Sequence, residues 1–191
     1  MEILQILECA NLNEALETKF QQQSEWEFSN GEFTRTGTLD NETYRVYIQP
    51  LSVSTKSGTL SNSTFLNLGF AKKNPDGTEV EHLQNSKDNK TKVIGAVTNA
   101  LKEKVSELTS QFDINFIVLF VVNGEEQRLG LYERLVKSPM YGLRPWRKIG
   151  TVVSDKGTFI VCTKNAGAPP NVNEFFEWLK DNDKTFRHEP K

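Results

Sequence analysis

The stretch that decides the fold is Ile114–Val122, which reads INFIVLFVV. Asn115 is its only polar residue, so an extended chain here is apolar on both faces, as a central strand covered on each side should be. The run is less than half as long as a membrane-spanning helix requires. It therefore predicts a buried central strand in a soluble protein.

Helical patterns flank this strand along the chain. Apolar residues recur about every 3.6 positions from Thr91 to Leu108, which predicts a helix whose first turn begins at Lys92. After the strand, the turn signal Asn123-Gly124 leads into a second amphipathic helix, Glu125–Val136.

Alternating apolar residues predict further strands before and after this unit. The predicted strands are Thr34–Leu39, Tyr44–Leu51, Thr64–Ala71 and the hairpin pair Trp146–Val153 and Thr158–Lys164, with a short strand around Trp26 and Phe28. Asn30-Gly31 and Asp40-Asn41 are turn signals. An apolar stripe predicts helix in Glu2–Phe20, and the polar segment Lys72–Lys90 predicts an exposed, mobile loop with a turn at Asn74-Pro75-Asp76-Gly77.

Length and composition bound the architecture. With 191 residues, 37% of them apolar, the chain is long enough for one substantial core but not for two full domains. We expect a single α+β domain over residues 1–165, with a mixed, mainly antiparallel central sheet flanked by helices. Residues 166–191 should form a C-terminal extension with a short aromatic helix.

The net charge indicates no polyanionic partner. A formal charge of −2 gives no electrostatic footprint for nucleic acid or an anionic membrane. A nucleic-acid function would rest only on Lys87, Lys90, Lys92 and the Trp146-Arg147-Lys148 cluster. We expect no membrane association, and Glu2 directly after Met1 argues against a signal peptide.

Histidines and cysteines predict neither a metal site nor a nucleophile. His82 and His188 lie in polar segments without converging ligands, so we expect both to be solvated. Cys9 and Cys162 lie far apart among apolar residues, which predicts two small buried hydrophobes in a reducing compartment such as the cytoplasm.

The helix start at Lys92 is a candidate anion site. The first turn of a helix presents free backbone N–H groups and the positive end of the helix dipole. The sequence here reads Lys92-x-x-Gly95-Ala96-Val97, and it is followed by a buried strand, a helix with Leu131-Tyr132 and a hairpin. This order of elements resembles that of the GNAT superfamily of acyl-CoA-dependent N-acyltransferases. The resemblance covers roughly the C-terminal half. It implies an acyl-CoA cosubstrate, acetyl-CoA or another, contacting Lys92, Gly95, Ala96 and Val97.

The same resemblance implies a catalytic residue. In that superfamily a tyrosine of the second helix is often the general acid towards the coenzyme thiolate, and Tyr132 holds the matching position. A phenol with a pKa of about 10 still carries its proton at neutral pH. Glu79 and Glu81 are candidates for the general base only by their proximity to the sheet. The plain alternative is that Tyr132 packs and Gly95 permits close helix–strand contact.

A second resemblance leads to another function. The helix sequence RLGLYERL, Arg128 to Leu135, is similar to small proteins of tailed bacteriophages that have no agreed activity. It implies a phage-encoded protein in the cytoplasm of an infected host, or one associated with the virion, that keeps the fold without catalysis. Such a protein would act through protein–protein contacts, for which the aromatic segment Glu174–Leu179 is the candidate surface, unless that segment packs on its own domain. The sequence leaves open whether the protein is an enzyme.

Overall fold

A computed structural model describes residues 18–53, 63–80, 87–123, 129–130, 132–133, 136, 145–164 and 171–186. Most of the predicted amino-terminal helix, 2–20, lies outside these residues. So do several side chains named above: Cys9, Glu81, His82, Arg128, Arg134 and His188.

The described chain contains nine strands and two α-helices with defined ends. In chain order they are β1 (Gln22–Gln23), β2 (Glu27–Ser29), β3 (Glu32–Leu39), β4 (Glu42–Val53), β5 (Ser63–Lys73), β6 (Glu79–Val80), α1 (Lys87–Gln111), β7 (Ile114–Val122), β8 (Arg147–Val153), β9 (Gly157–Thr163) and α2 (Val172–Asp181). A 3₁₀ turn, Asp183–Phe186, follows α2. The described residues between 129 and 136 are helical, as predicted for that segment.

All strands join one mixed sheet in the order β1-β3-β4-β5-β7-β9-β8, with β2 beside β3 and β6 beside β5. Every pair is antiparallel except β5 and β7, which run parallel. Parallel neighbours need a long crossover, and α1 lies on the connection that provides it. The predicted α+β class with a mainly antiparallel central sheet is confirmed, and at this coarse level the arrangement is consistent with a GNAT-like fold.

The sheet is apolar on both faces around β7. Ile117, Leu119 and Val121 join the core under α1, whereas the alternate residues of β7 join a second core under α2. We call these the α1 face and the α2 face. The predicted common face of β4 is confirmed, because Tyr44, Val46 and Ile48 all lie on the α1 face.

The aromatic helix α2 packs on its own sheet. Phe175 stacks on Phe116 with ring centroids 4.2 Å apart and meets Phe65 edge-on at 5.2 Å. Phe175 and Leu179 are fully buried. The aromatic side chains of Glu174–Leu179 therefore contribute to the domain core.

The turn predictions are confirmed by the backbone. Asn30, Gly31, Asp40 and Asn41 all have positive φ, between 50° and 80°. The Asn74–Gly77 turn closes with Gly77 N donating to Asn74 O at 3.0 Å.

The predicted loop Lys72–Lys90 is wrong in part. Its middle contributes β6, which pairs with the end of β5, and α1 begins at Lys87 instead of Lys92. The added helical residues read KDNKT, which has no apolar member, so hydrophobic periodicity could not detect this first turn.

Candidate active site

The ladder of the parallel strand pair β5–β7 ends part-way along both strands. It runs from Thr64 opposite Ile114 to Leu68 opposite Leu119. Both strands continue beyond that point. β7 stays paired with β9 and β5 with β4, and from Lys72 the other edge of β5 pairs with β6. Among the described residues, the ends of β5 and β7 therefore lack a ladder to each other.

Tyr132 lies beside the end of this ladder on the α1 face. Its side chain is 1% exposed, and its ring meets Phe70 edge-on with centroids 6.1 Å apart. Phe70 is two positions past Leu68, the last β5 residue paired to β7. The predicted catalytic residue is thus next to the segment of β5 that lies between its last pair with β7, at Leu68, and its first pair with β6, at Lys72.

The predicted cosubstrate residues lie inside α1. Lys92 is exposed, whereas Gly95, Ala96 and Val97 are buried, and the last two share one hydrophobic cluster with Tyr132. Because α1 begins at Lys87, the N–H groups of Gly95–Val97 fall within the helical ladder. The free N–H groups of a helix belong to its first four residues, which here are 87–90. The placement of a helix start at Lys92 is thereby corrected, while contact of these residues with acyl-CoA stays a prediction.

A charged triad lies further along the same face of β5. Tyr44 Oη donates to Glu42 Oε2 at 2.6 Å, and Lys72 Nζ forms an ion pair with Glu42 Oε1. The hydrogen bond from Lys72, reinforced by that from Tyr44, lowers the pKa of Glu42. Burial, aided by the Glu42 carboxylate, raises the pKa of Tyr44 well above its ordinary value.

Sequence reasoning missed this triad, although a signal was present. Lys72 continues the period-two series Leu66, Leu68, Phe70, so it falls on the apolar face of the strand. A lysine at an inward position needs an acidic partner. Glu42 lies two positions before Tyr44 on β4, in the same period-two series, and Tyr44 is the residue directly opposite Lys72.

Glu79, a candidate base, is engaged by an arginine on the α2 face. Arg45 donates from Nε to Glu79 Oε1 at 2.7 Å and from Nη2 to Glu79 Oε2 at 2.9 Å. Its Nη1 donates to Glu32 Oε1 at 2.7 Å, and the guanidinium lies 5.0 Å from the centre of the Tyr47 ring. Arg45 thereby occupies both carboxylate oxygens of Glu79, on the face of the sheet opposite to Tyr132.

Cys162 is a buried thiol, as predicted. It is fully buried in the core of the α1 face, and burial raises its pKa to about 12. A thiol that stays protonated at neutral pH is a weak nucleophile.

The described part of the chain shows neither a metal site nor a membrane-spanning helix. It contains no group of three His, Cys, Asp or Glu side chains placed to hold a metal ion. None of its helices combines the length and the apolarity needed to cross a membrane.

Comparison with known proteins adds no family. No family model matches the chain, and no curated protein matches it significantly.

Proposed function

We propose that this protein is a GNAT-like N-acyltransferase that uses an acyl-CoA. The observation that carries the proposal is the parallel pair β5–β7, whose ladder ends at Leu68 and Leu119 while both strands continue. Among the described residues, the edge of β5 towards β7 has no ladder to β7 or β6 between Leu68 and Lys72, and backbone N–H and C=O groups there suit the amide-containing pantetheine arm of coenzyme A.

Tyr132 is the proposed general acid. The acceptor amine attacks the acyl carbon, the C–S bond breaks, and the departing thiolate takes the proton of the Tyr132 hydroxyl. The amine loses its proton to a base that stands elsewhere than Glu79. Proximity of Tyr132, through Phe70, to the segment of β5 just past its last pair with β7 supports this role.

The amino-terminal part of α1 is the proposed phosphate contact. Lys92 is exposed there, five residues into the helix, and the positive end of the dipole adds to its charge. Gly95, Ala96 and Val97 would then act by holding this part of α1 against the sheet.

Acetyl-CoA binding and turnover test the proposal. Calorimetry should detect heat on adding acetyl-CoA, and the melting temperature should rise with its concentration. Tyr132→Phe keeps the ring contact with Phe70 and should lower kcat about 10²-fold or more, the usual contribution of a general acid, with acetyl-CoA affinity unchanged. An equally active Phe variant would remove Tyr132 from catalysis.

A charge reversal tests the phosphate contact. Lys92→Glu should weaken acetyl-CoA binding about tenfold, as expected when one charge-assisted contact becomes repulsive. Lys102→Glu is the matched control, because Lys102 is also exposed on α1 but lies ten residues further along. Equal effects of the two variants would indicate general charge and not a site.

A second candidate is a non-catalytic, phage-encoded binding protein, cytoplasmic or virion-associated. It is favoured by the 1% exposure of Tyr132 and by the burial of Ala96 and Val97, which together withdraw the predicted site from solvent. Its contacts would use the exposed side of α2, which carries Glu177 and Lys180. Exchanging these two charges should abolish an assembly without changing stability, whereas acetyl-CoA should cause no heat and no thermal shift.

A further inference from the structure

A buried arginine on the α1 face has incomplete hydrogen bonding. Arg35 lies in the middle of β3 and is only 9% exposed. Its Nη1 donates to Gln23 Oε1 at 3.4 Å and to Glu103 Oε2 at 3.2 Å, both longer than the roughly 2.7–2.9 Å of a good charge-assisted bond. Its buried Nε has no acceptor in the part of the chain that the structure describes.

A second buried donor lies beside it. The Arg35 guanidinium carbon is 5.1 Å from the centre of the Trp26 ring. Trp26 Nε1 is buried and also lacks an acceptor among the described residues. Arginine and indole nitrogens only donate, so neither group can satisfy the other. Buried donors are normally hydrogen-bonded, so these two neighbouring N–H groups require an acceptor.

Arg45 shows what a completed site looks like in the same sheet. It makes three bonds of 2.7 to 2.9 Å to two carboxylates. Arg35 makes one long contact with one carboxylate, so its charge is less well compensated. The difference points to a missing anionic oxygen at Arg35.

The present partners of Arg35 are replaceable. Gln23 is exposed, and the side chain of Glu103 is 68% exposed. Most of the Glu103 side chain is in water and its 3.2 Å contact with Arg35 is long, so an incoming anion loses little by displacing Glu103. The side chains of Gln23 and Glu103 can therefore be displaced from the Arg35 guanidinium.

We propose that Arg35 and Trp26 form a binding site for a small carboxylate. One carboxylate oxygen accepts from Arg35 Nε and the other from Trp26 Nε1. A monoanion matches the single guanidinium once Glu103 has moved away. A doubly charged phosphate would bring an uncompensated charge into a largely buried site, which is costly.

The indole N–H signal of Trp26 gives a direct readout. It can be assigned in nitrogen-15 spectra by its loss in Trp26→Phe, and then followed during titration with sodium acetate against sodium chloride at matched ionic strength. We expect a saturable shift with acetate alone. Glu103→Gln should tighten acetate binding about two- to fivefold, since it removes the competing, weakly held carboxylate.

Two variants decide whether the site is specific. Arg35→Lys, which removes Nε–H and the planar fork, should weaken acetate binding by about tenfold or more. Glu107→Gln makes the same charge change on α1 as Glu103→Gln and should leave the affinity unchanged. If acetate produces no saturable shift in either the wild type or Glu103→Gln, or if Arg35→Lys binds acetate as well as the wild type, the proposal is wrong.

Discussion

The two halves of the sheet are stabilised in different ways. Around β7 both faces are covered by apolar side chains, because α1 packs on one and α2 on the other. Around β3 and β4, the α2 face instead carries Arg45 with its two carboxylates and the Tyr47 ring. Where the described chain places no helix on the sheet, ion pairs between strands connect the side chains instead of apolar packing. Packing between apolar side chains is nondirectional, whereas a charged network depends on the geometry of each member.

The largest effect is expected in the apolar half. Phe175→Ala should lower the free energy of unfolding by about 3–5 kcal/mol, because it leaves a cavity between Phe116 and Phe65. Urea unfolding measures this loss. Phe112→Ala is the matched control, since Phe112 is 57% exposed and its truncation should stay within about 0.5 kcal/mol. Equal losses would mean that α2 is not part of the core.

Removing one side chain from the charged half should lower the free energy of unfolding by somewhat less. Arg45→Ala leaves Glu32 and Glu79 as neighbouring unpaired carboxylates, and we expect a loss of about 3 kcal/mol, at the low end for a broken buried pair. Arg147→Ala, at an exposed position of β8, should be nearly neutral. A loss at Arg45 no larger than that at Arg147 would show that the network contributes nothing to stability.

Gly69 links the two halves, and its substitution should have a smaller effect than the two changes above. It lies on β5 directly under the Tyr47 ring, and a Cβ there would meet ring atoms at 2.3 Å. Gly69→Ala must displace Tyr47 from beneath Arg45, at a cost of about 1–3 kcal/mol for such overpacking. Combining it with Tyr47→Ala should recover most of that penalty, and an additive double variant would contradict the steric explanation.

The sequence predicted the apolar half far better than the charged half. An almost wholly apolar run such as Ile114–Val122 and a period-two series such as Tyr44, Val46, Ile48 carry their burial in local spacing. The Arg45–Glu79 pair joins residues 34 positions apart, and its formation depends on the register of β6 against β5. Local patterns hold no information on such a register, nor on a polar helix turn such as that of α1.

The same limit applies to the candidate sites. Tyr132 could be predicted as a candidate because its helix carries a motif that resembles one in a known superfamily. The Arg35–Trp26 pair was not, since the two residues meet only when the chain reverses between β2 and β3 and α1 brings Glu103 over them. Buried donors without acceptors are a property of packing, and a sequence cannot reveal them.

The smallest effect concerns the triad at the border of the two halves. Because Lys72 and Tyr44 lower the pKa of Glu42 below its ordinary value of 4.5, the folded state holds this proton less tightly than the unfolded chain. The resulting stability is present above about pH 4.5 and is lost as the pH falls through the lowered pKa. Since Glu42 is partly exposed, the loss should be about 0.5 kcal/mol or less.

Urea unfolding of the wild type and Glu42→Gln at pH values from neutral down to about 3 resolves this term from other carboxylates. The difference in stability between the two proteins should shrink as the pH falls, because the wild-type carboxyl then becomes neutral like the amide. A difference that stays constant over that range would mean that Glu42 acts through packing alone, and the charged half would lose one of its members.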